Sequence, residues 1–178
     1  MIAQAIFNGL IAGAMIGLGA IGITLTYSIL RFANFAHGEL ISWGAYATLG
    51  VSTGLAAHFA PLAAPLGPFS FGWSLPLGLV VSMALTGLLA LIVDVLLFGR
   101  LRSRGGAVII LVIAGFGAAL TLRSLLEFLF TTKPAYFTEA LQIAMKIGFG
   151  VRATPDQLLS LGVSALLVLA VHVLLTYT

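Results

Sequence analysis

Residues 31–46 read RFANFAHGELISWGAY. Within nine residues Arg31, Asn34, His37 and Glu39 interrupt a chain that is otherwise almost continuously apolar. The fold turns on what surrounds them: a solvated loop, or polar chemistry set between two membrane helices. Composition fixes the environment. Hydrophobic residues make up 61% of the 178 and charged residues 7%, with a mean hydropathy of +1.18, whereas soluble domains carry about 25% charged residues. So few charges cannot cover a water-exposed surface, but apolar side chains can face lipid. The chain therefore reads as an integral membrane protein. It has no cysteine, which excludes disulfides and thiolate metal sites. The net charge of +3 rests on few residues and does not point to nucleic acid.

Working outward from 31–46, a helix needs about 20 predominantly apolar residues to cross the hydrocarbon core. Five stretches qualify, near 5–30, 38–58, 75–98, 107–130 and 157–177, the second being the least hydrophobic. The apolar runs are continuous rather than alternating, so they are helices and not barrel strands. The first lacks a basic start and is too long for a signal-peptide core. The expected fold is an all-α polytopic transmembrane bundle of about five spans, with a broken or re-entrant junction near 31–40. Residues 59–74, FAPLAAPLGPFSFGWS, hold Pro61, Pro65 and Pro68 and read as a loop, because proline removes helix donors and clashes with the preceding turn. Residues 131–156 form a second loop with Lys133, Pro134, Glu139, Lys146, Arg152, Pro155 and Asp156; its middle, 139–147, suits a short interfacial helix or strand.

Basic residues in short loops mark the cytoplasmic side. The densest cluster, GRLRSRGG, places Arg100, Arg102 and Arg104 between the third and fourth spans. Parity then puts the N-terminus outside, the Arg31 junction inside, the Pro-rich loop and 131–156 outside, and Thr178 inside.

Gly9, Gly13 and Gly17 share one face of the first span, and Gly50 and Gly54 one face of the second. Small residues at this spacing let helices approach closely in lipid. At the junction, Arg31 ends the first span by its charge. Asn34 can cap the next helix by accepting a backbone N–H two or three residues on, Glu39 sits where the helix dipole favours an anion, and Gly38 allows close backbone approach or a break. The plain reading of this composition is a short cytoplasmic turn, since intramembrane charges are rare.

The motif NFAHGE after a Gly-rich span changes that weighting. It resembles the inner-membrane permeases of branched-chain amino acid ABC importers, the LivH type. NGLIAGAMIGLGAIGITLTYSILRFANFAHGELISWGAYA resembles the opening of that family, VDVLLFGRLRSRGG its third span and basic link, and AVIILVIAGFGAALTLRSLLEFLF the span after. Arg123 to Glu127 stand where the family usually has a Gln-Asn pair. The resemblance is strongest over 5–50, and urea and short-chain amide permeases share the motif. It implies that the junction lies beside the translocation path, with Asn34, His37, Gly38 and Glu39 as path residues. It implies an inner-membrane, multi-pass permease subunit that works with a second permease subunit, two cytoplasmic ATPase subunits and a periplasmic or extracellular substrate-binding protein in the lipid bilayer. Family permeases dock their ATPase after the fifth span. The sequence given ends there, at HVLLTYT, so 1–178 is expected to be a single permease domain that forms the N-terminal part of a longer one.

Other polar residues have plain explanations. Arg123 and Glu127 are one helical turn apart and can pair; Asp94 lies close to three arginines and suits an interfacial ion pair. His172, in the fifth span, suits a hydrogen bond to a neighbouring helix, and His58 and Trp73 flank the Pro-rich loop. No nucleophile elbow, H-E-x-x-H or phosphate-cradling G-x-x-x-x-G-K-[ST] occurs, so no enzyme, ATPase site, cofactor or metal is expected. The competing classes are a proton-coupled carrier with His37 and Glu39 as relay, and a membrane fragment that only packs against partners.

Overall fold

The structure, a computed structural model, describes residues 2–130, 135–138, 142–148 and 150–177. Lys133, Pro134 and Glu139 lie outside these. The elements are α1 (Ile2–Leu30), α2 (Ala36–His58), a single turn α3 (Ala60–Ala63), α4 (Ser74–Val93), a π-helical turn (Asp94–Gly99), α5 (Arg100–Ser103), α6 (Val108–Phe130), strands β1 (Met145–Gly148) and β2 (Val151–Ala153), and α7 (Pro155–Tyr177). The polytopic all-α architecture is as expected; a small hairpin over 145–153 overlaps only the end of 139–147, where a short helix or strand was anticipated, and 139–141 lie outside the described residues. Among the described residues four helices are long and apolar enough to cross a membrane: Ile2–Leu30, Ser74–Ser103, Val108–Phe130 and Pro155–Tyr177. α2 has comparable length but is the least hydrophobic of the long helices.

The chain divides into two compact units. The larger comprises Ile23–Leu66 and Phe71–Thr138. Its core is Phe32, Phe98 and Leu111, flanked by Leu30, Val93, Leu97 and Leu101. α2 and α4 pack through a ladder of small residues. A Cβ added to Gly44 would lie 3.3 Å from Thr86 Oγ1, and one added to Gly78 would lie 3.1 Å from Ser52 Cβ. Between these contacts Thr48 and Ser82 share a buried hydroxyl–hydroxyl hydrogen bond. The pairs run in opposite sequence directions, so the two helices are antiparallel. The stripe Gly44–Thr48–Ser52 is the packing face of α2. Gly50 and Gly54, singled out from their spacing, meet nothing within 4 Å, and neither do Gly9, Gly13 and Gly17 on α1. α6 joins α2 where Trp43 Nε1 donates to the Leu122 carbonyl at 3.0 Å and where Tyr46 and Phe130 stack with centroids 5.0 Å apart.

Chain reversal after α5 follows from its two glycines. Gly105 has φ +69, its N–H donates to the Arg102 carbonyl at 3.1 Å and that of Gly106 to the Leu101 carbonyl at 3.0 Å, which is the Schellman arrangement. A Cβ on Gly106 would stand 2.9 Å from the Leu101 oxygen. Asp94, at the start of the π turn, takes Arg102 in a two-pronged pair at 2.8 and 2.9 Å, the ion pair anticipated from the sequence.

The smaller unit comprises Met1–Gly22, Gly67–Ser70 and Glu139–Thr178. β1 and β2 are antiparallel, with Met145 opposite Ala153. Gln4 of α1 acts like a strand edge toward this hairpin: its Nε2 donates to the Arg152 carbonyl and its Oε1 accepts the Arg152 N–H. α7 opens with a reciprocal capping box, Thr154 with Gln157, two residues before the anticipated start. Asp156 in its first turn accepts from the Ser70 N–H and hydroxyl and from Gln142, pinning 67–70 to α7. His172 is exposed, and its side chain makes no hydrogen bond among the described residues, contrary to expectation.

Candidate functional site: the junction between α1 and α2

α1 stops at Leu30 because Arg31 adopts the left-handed conformation, φ 62. Its N–H still donates to the Tyr27 carbonyl at 2.8 Å, closing a left-handed helix cap. The charge is not what ends the helix: the backbone turn is, at a conformational cost of about 1–2 kcal/mol for a residue with a Cβ. That turn sends Phe32 inward, where 1% of it remains exposed and its ring meets Phe98 of the π turn at 5.0 Å. Burial of this ring offsets the strain.

Asn34 caps α2 from both of its oxygens. Oδ1 accepts the Ala36 N–H at 3.1 Å and the backbone carbonyl accepts the His37 N–H at 3.2 Å. The junction rests on α6 at Gly115: a Cβ there would lie 3.5 Å from Phe35 N and 3.6 Å from Asn34 Oδ1. Phe35 also meets Phe116 edge-on, centroids 6.3 Å apart.

The four expected site residues thus occupy one turn of chain. Asn34, His37 and Glu39 are half-buried, and the side chains of His37 and Glu39 make no hydrogen bond or ion pair among the described residues. Gly38 is exposed, lies inside a continuous first turn of α2, and has open space where a side chain would be. The helix break is therefore at 31–35 and not at Gly38, whose carbonyl accepts the Ser42 hydroxyl at 3.3 Å. Sequence reasoning missed Phe32, Phe98 and Gly115, the residues that hold the junction. The one signal for them was the glycine pair in AGFG of α6. No cluster of metal-ligating side chains exists among the described residues.

Apolar helices of membrane-crossing length, joined by a tight polar junction, define a multi-pass membrane protein. The chain belongs to the family described as "Branched-chain amino acid transport system / permease component", which matches residues 5–178, and is accordingly a permease-type protein of the inner membrane. It is similar to the high-affinity branched-chain amino acid transport system permease protein LivH of Escherichia coli K12, 36% identical over 84 residues, covering 40% of this chain and 27% of that protein. The LivH of Salmonella typhimurium is 34% identical with the same coverage. The permease protein BraD of Pseudomonas aeruginosa is 46% identical over 43 residues, covering 24% of this chain and 14% of that protein. The matched region thus spans about a quarter of the LivH relatives' length. No solved structure matches.

Proposed function

We propose that this chain is the permease subunit of an ABC importer for branched-chain amino acids, and that Asn34, His37, Gly38 and Glu39 border its translocation path. The observation that carries this reading is the state of the junction: a half-buried imidazole and carboxylate without partners among the described residues, beside the exposed Gly38, in a chain otherwise built for lipid. Polar groups left unpaired at membrane depth mark substrate pathways more often than structure, and interrupted helices are the usual place for them in transporters. The Asn34 side-chain oxygen is taken by the Ala36 N–H, so contact with a zwitterionic amino acid is shared by the Asn34 amide NH2, His37, Glu39 and the backbone at Gly38. The carboxylate suits the ammonium group.

Driving force comes from outside this sequence, which holds no phosphate-binding loop. Two ATPase subunits, a second permease subunit and a substrate-binding protein complete the importer, and the binding protein selects the substrate. The family relationship favours leucine, isoleucine or valine over urea or short amides.

The test is uptake by the complete transporter carrying Glu39→Gln or Asn34→Ala. Uptake should fall well below the change in membrane abundance. Uptake that simply follows abundance in both variants would return these residues to a structural role. Calorimetry on the cognate binding protein decides the substrate, and a response to urea alone would remove the amino-acid assignment. Accumulation driven by a proton gradient without any ATPase would favour a carrier with His37 and Glu39 as relay.

A further inference from the structure

α2 and α6 run in the same direction and meet along one seam. Phe35, just before α2, packs edge-on against Phe116, Trp43 donates to the Leu122 carbonyl, and Tyr46 stacks on Phe130 with ring centroids 5.0 Å apart. A residue seven before another on a helix lies on nearly the same flank, two turns and about 10 Å back along the axis. Glu39 stands seven before Tyr46, and Arg123 seven before Phe130. The two charged residues therefore share the flank of the stacked rings and stand opposite each other across the seam at one depth. They have not closed on each other: Glu39 is half-buried and makes no ion pair among the described residues. Arg123 Nε donates instead to Glu127 Oε1 at 3.1 Å, one turn further along α6, with side chains 64% and 45% exposed. The Arg123 Nη groups make no hydrogen bond among the described residues, although a guanidinium has five N–H groups to place. Arg123 also lies well inside a span, about 22 Å of helical rise after Val108 and about 10 Å before Phe130. Charged groups left open at such depth face a polar pathway more often than lipid.

We propose that Glu39 and Arg123 form a zwitterion-binding station on the α2–α6 seam, in which the Glu39 carboxylate accepts from the ammonium group of an amino acid and the Nη groups of Arg123 donate to its carboxylate. The inference rests on the path role proposed for Glu39 and supplies what that role lacks, a cation for the other end of the substrate. A guanidinium meets a carboxylate in two parallel N–H···O bonds, which a lysine does not offer. Glu127 is a positioning residue: it takes Nε, which holds the guanidinium in place and leaves both Nη groups for the ligand. An unpaired acid opposite a half-used base is the complement of a zwitterion. Urea and short amides carry neither charge, so this station favours an α-amino acid over them.

Residues 1–178 hold no cysteine, so proximity can be read directly in the complete transporter. Glu39→Cys with Arg123→Cys should be joined by a short bifunctional thiol reagent, seen as fragments that stay together after cleavage at a protease site introduced in the 59–74 loop. Glu39→Cys with Ser124→Cys, exposed and a further 100° round the helix, should not be joined. Arg123→Gln should lower leucine uptake about tenfold or more at unchanged abundance, the worth of one charge-assisted hydrogen bond. Arg123→Lys keeps a charge beside Glu127 but loses the two-pronged edge; it should lose uptake too, and is the variant to read if the glutamine form does not accumulate. Glu39→Gln, Arg123→Gln and Glu127→Gln together should leave uptake low. Charges that only hold the helices together predict recovery in that triple variant, because none is left unpaired. Such recovery, no cross-link between 39 and 123, or uptake that follows abundance in both Arg123 variants would each overturn the station. Its failure is separable from that of the path role: Glu39→Gln alone still lowers uptake if only Arg123 is misassigned, and both fall if it does not.

Discussion

Asn34 shows how one residue carries both structure and chemistry. Its side-chain oxygen satisfies the Ala36 N–H, and losing such a cap costs about 1 kcal/mol. Asn34→Ala should therefore lower the unfolding temperature of the detergent-solubilised protein by a few degrees. Asn34→Asp keeps an acceptor, and places an anion where the helix dipole favours it, so it should melt like the parent. An Asp variant that destabilises as much as Ala would remove the cap from the account. If Asp keeps the stability yet loses uptake, the amide itself faces the path. The cap was legible in the sequence because acceptor and donor are two residues apart. The burial of Phe32 was not, because its partner Phe98 lies on a distant part of the chain and is delivered by a π turn. The end of α1 at Arg31 was located correctly but for the wrong reason: charge is visible in a sequence, whereas a left-handed φ at arginine has no local signature.

At the scale of elements, helix lengths and limits follow from hydropathy and capping, while the choice of packing face does not. α2 carries two stripes with four-residue spacing, Gly44–Thr48–Ser52 and Gly50–Gly54. Either suits close packing by composition, and only α4 distinguishes them, by presenting Gly78, Ser82 and Thr86 at matching intervals. The consequence is an asymmetry between glycines. Gly78→Leu drives a side chain into Ser52 Cβ, the Ser52 N and the Thr48 carbonyl, all within 3.2 Å of even a Cβ. Overpacking of this kind costs about 1–3 kcal/mol. Gly50→Leu extends into open space. A disulfide between Thr48→Cys and Ser82→Cys should form readily in the Gly50→Leu background and poorly in the Gly78→Leu background. Equal yields would mean that the ladder is not the α2–α4 interface.

For the molecule as a whole the open question is whether α2 crosses the bilayer. Its hydropathy is the lowest of the long helices, and by composition alone it could lie outside. Two observations argue that it crosses. Its 23 residues span about 34 Å at 1.5 Å per residue, and it runs antiparallel along α4, itself apolar enough to cross. Polar side chains along its middle are also consumed inside the protein, while His37 and Glu39 stand at its junction end. Ser42 donates to the Gly38 carbonyl, Thr48 to that of Gly44, Ser52 to that of Leu49, and Trp43 to that of Leu122, so these four need no water. A helix whose polar groups are satisfied internally can lie at membrane depth despite modest hydropathy. The Phe32–Phe98 contact fixes the corollary: the 31–35 junction and the arginine cluster at 100–104 share one end of this unit, and the Pro-rich loop begins at the other. Three single cysteines test it, each probed with a membrane-impermeant thiol reagent on intact cells. Ala64→Cys should label from outside, while Ala33→Cys and Ser103→Cys should react only after lysis, in keeping with basic residues on the cytoplasmic side. Were α2 to stay on one face, Ala33→Cys and Ala64→Cys would behave alike and Ser103→Cys would differ from both. Were the orientation inverted, Ser103→Cys would label in intact cells and Ala64→Cys would not.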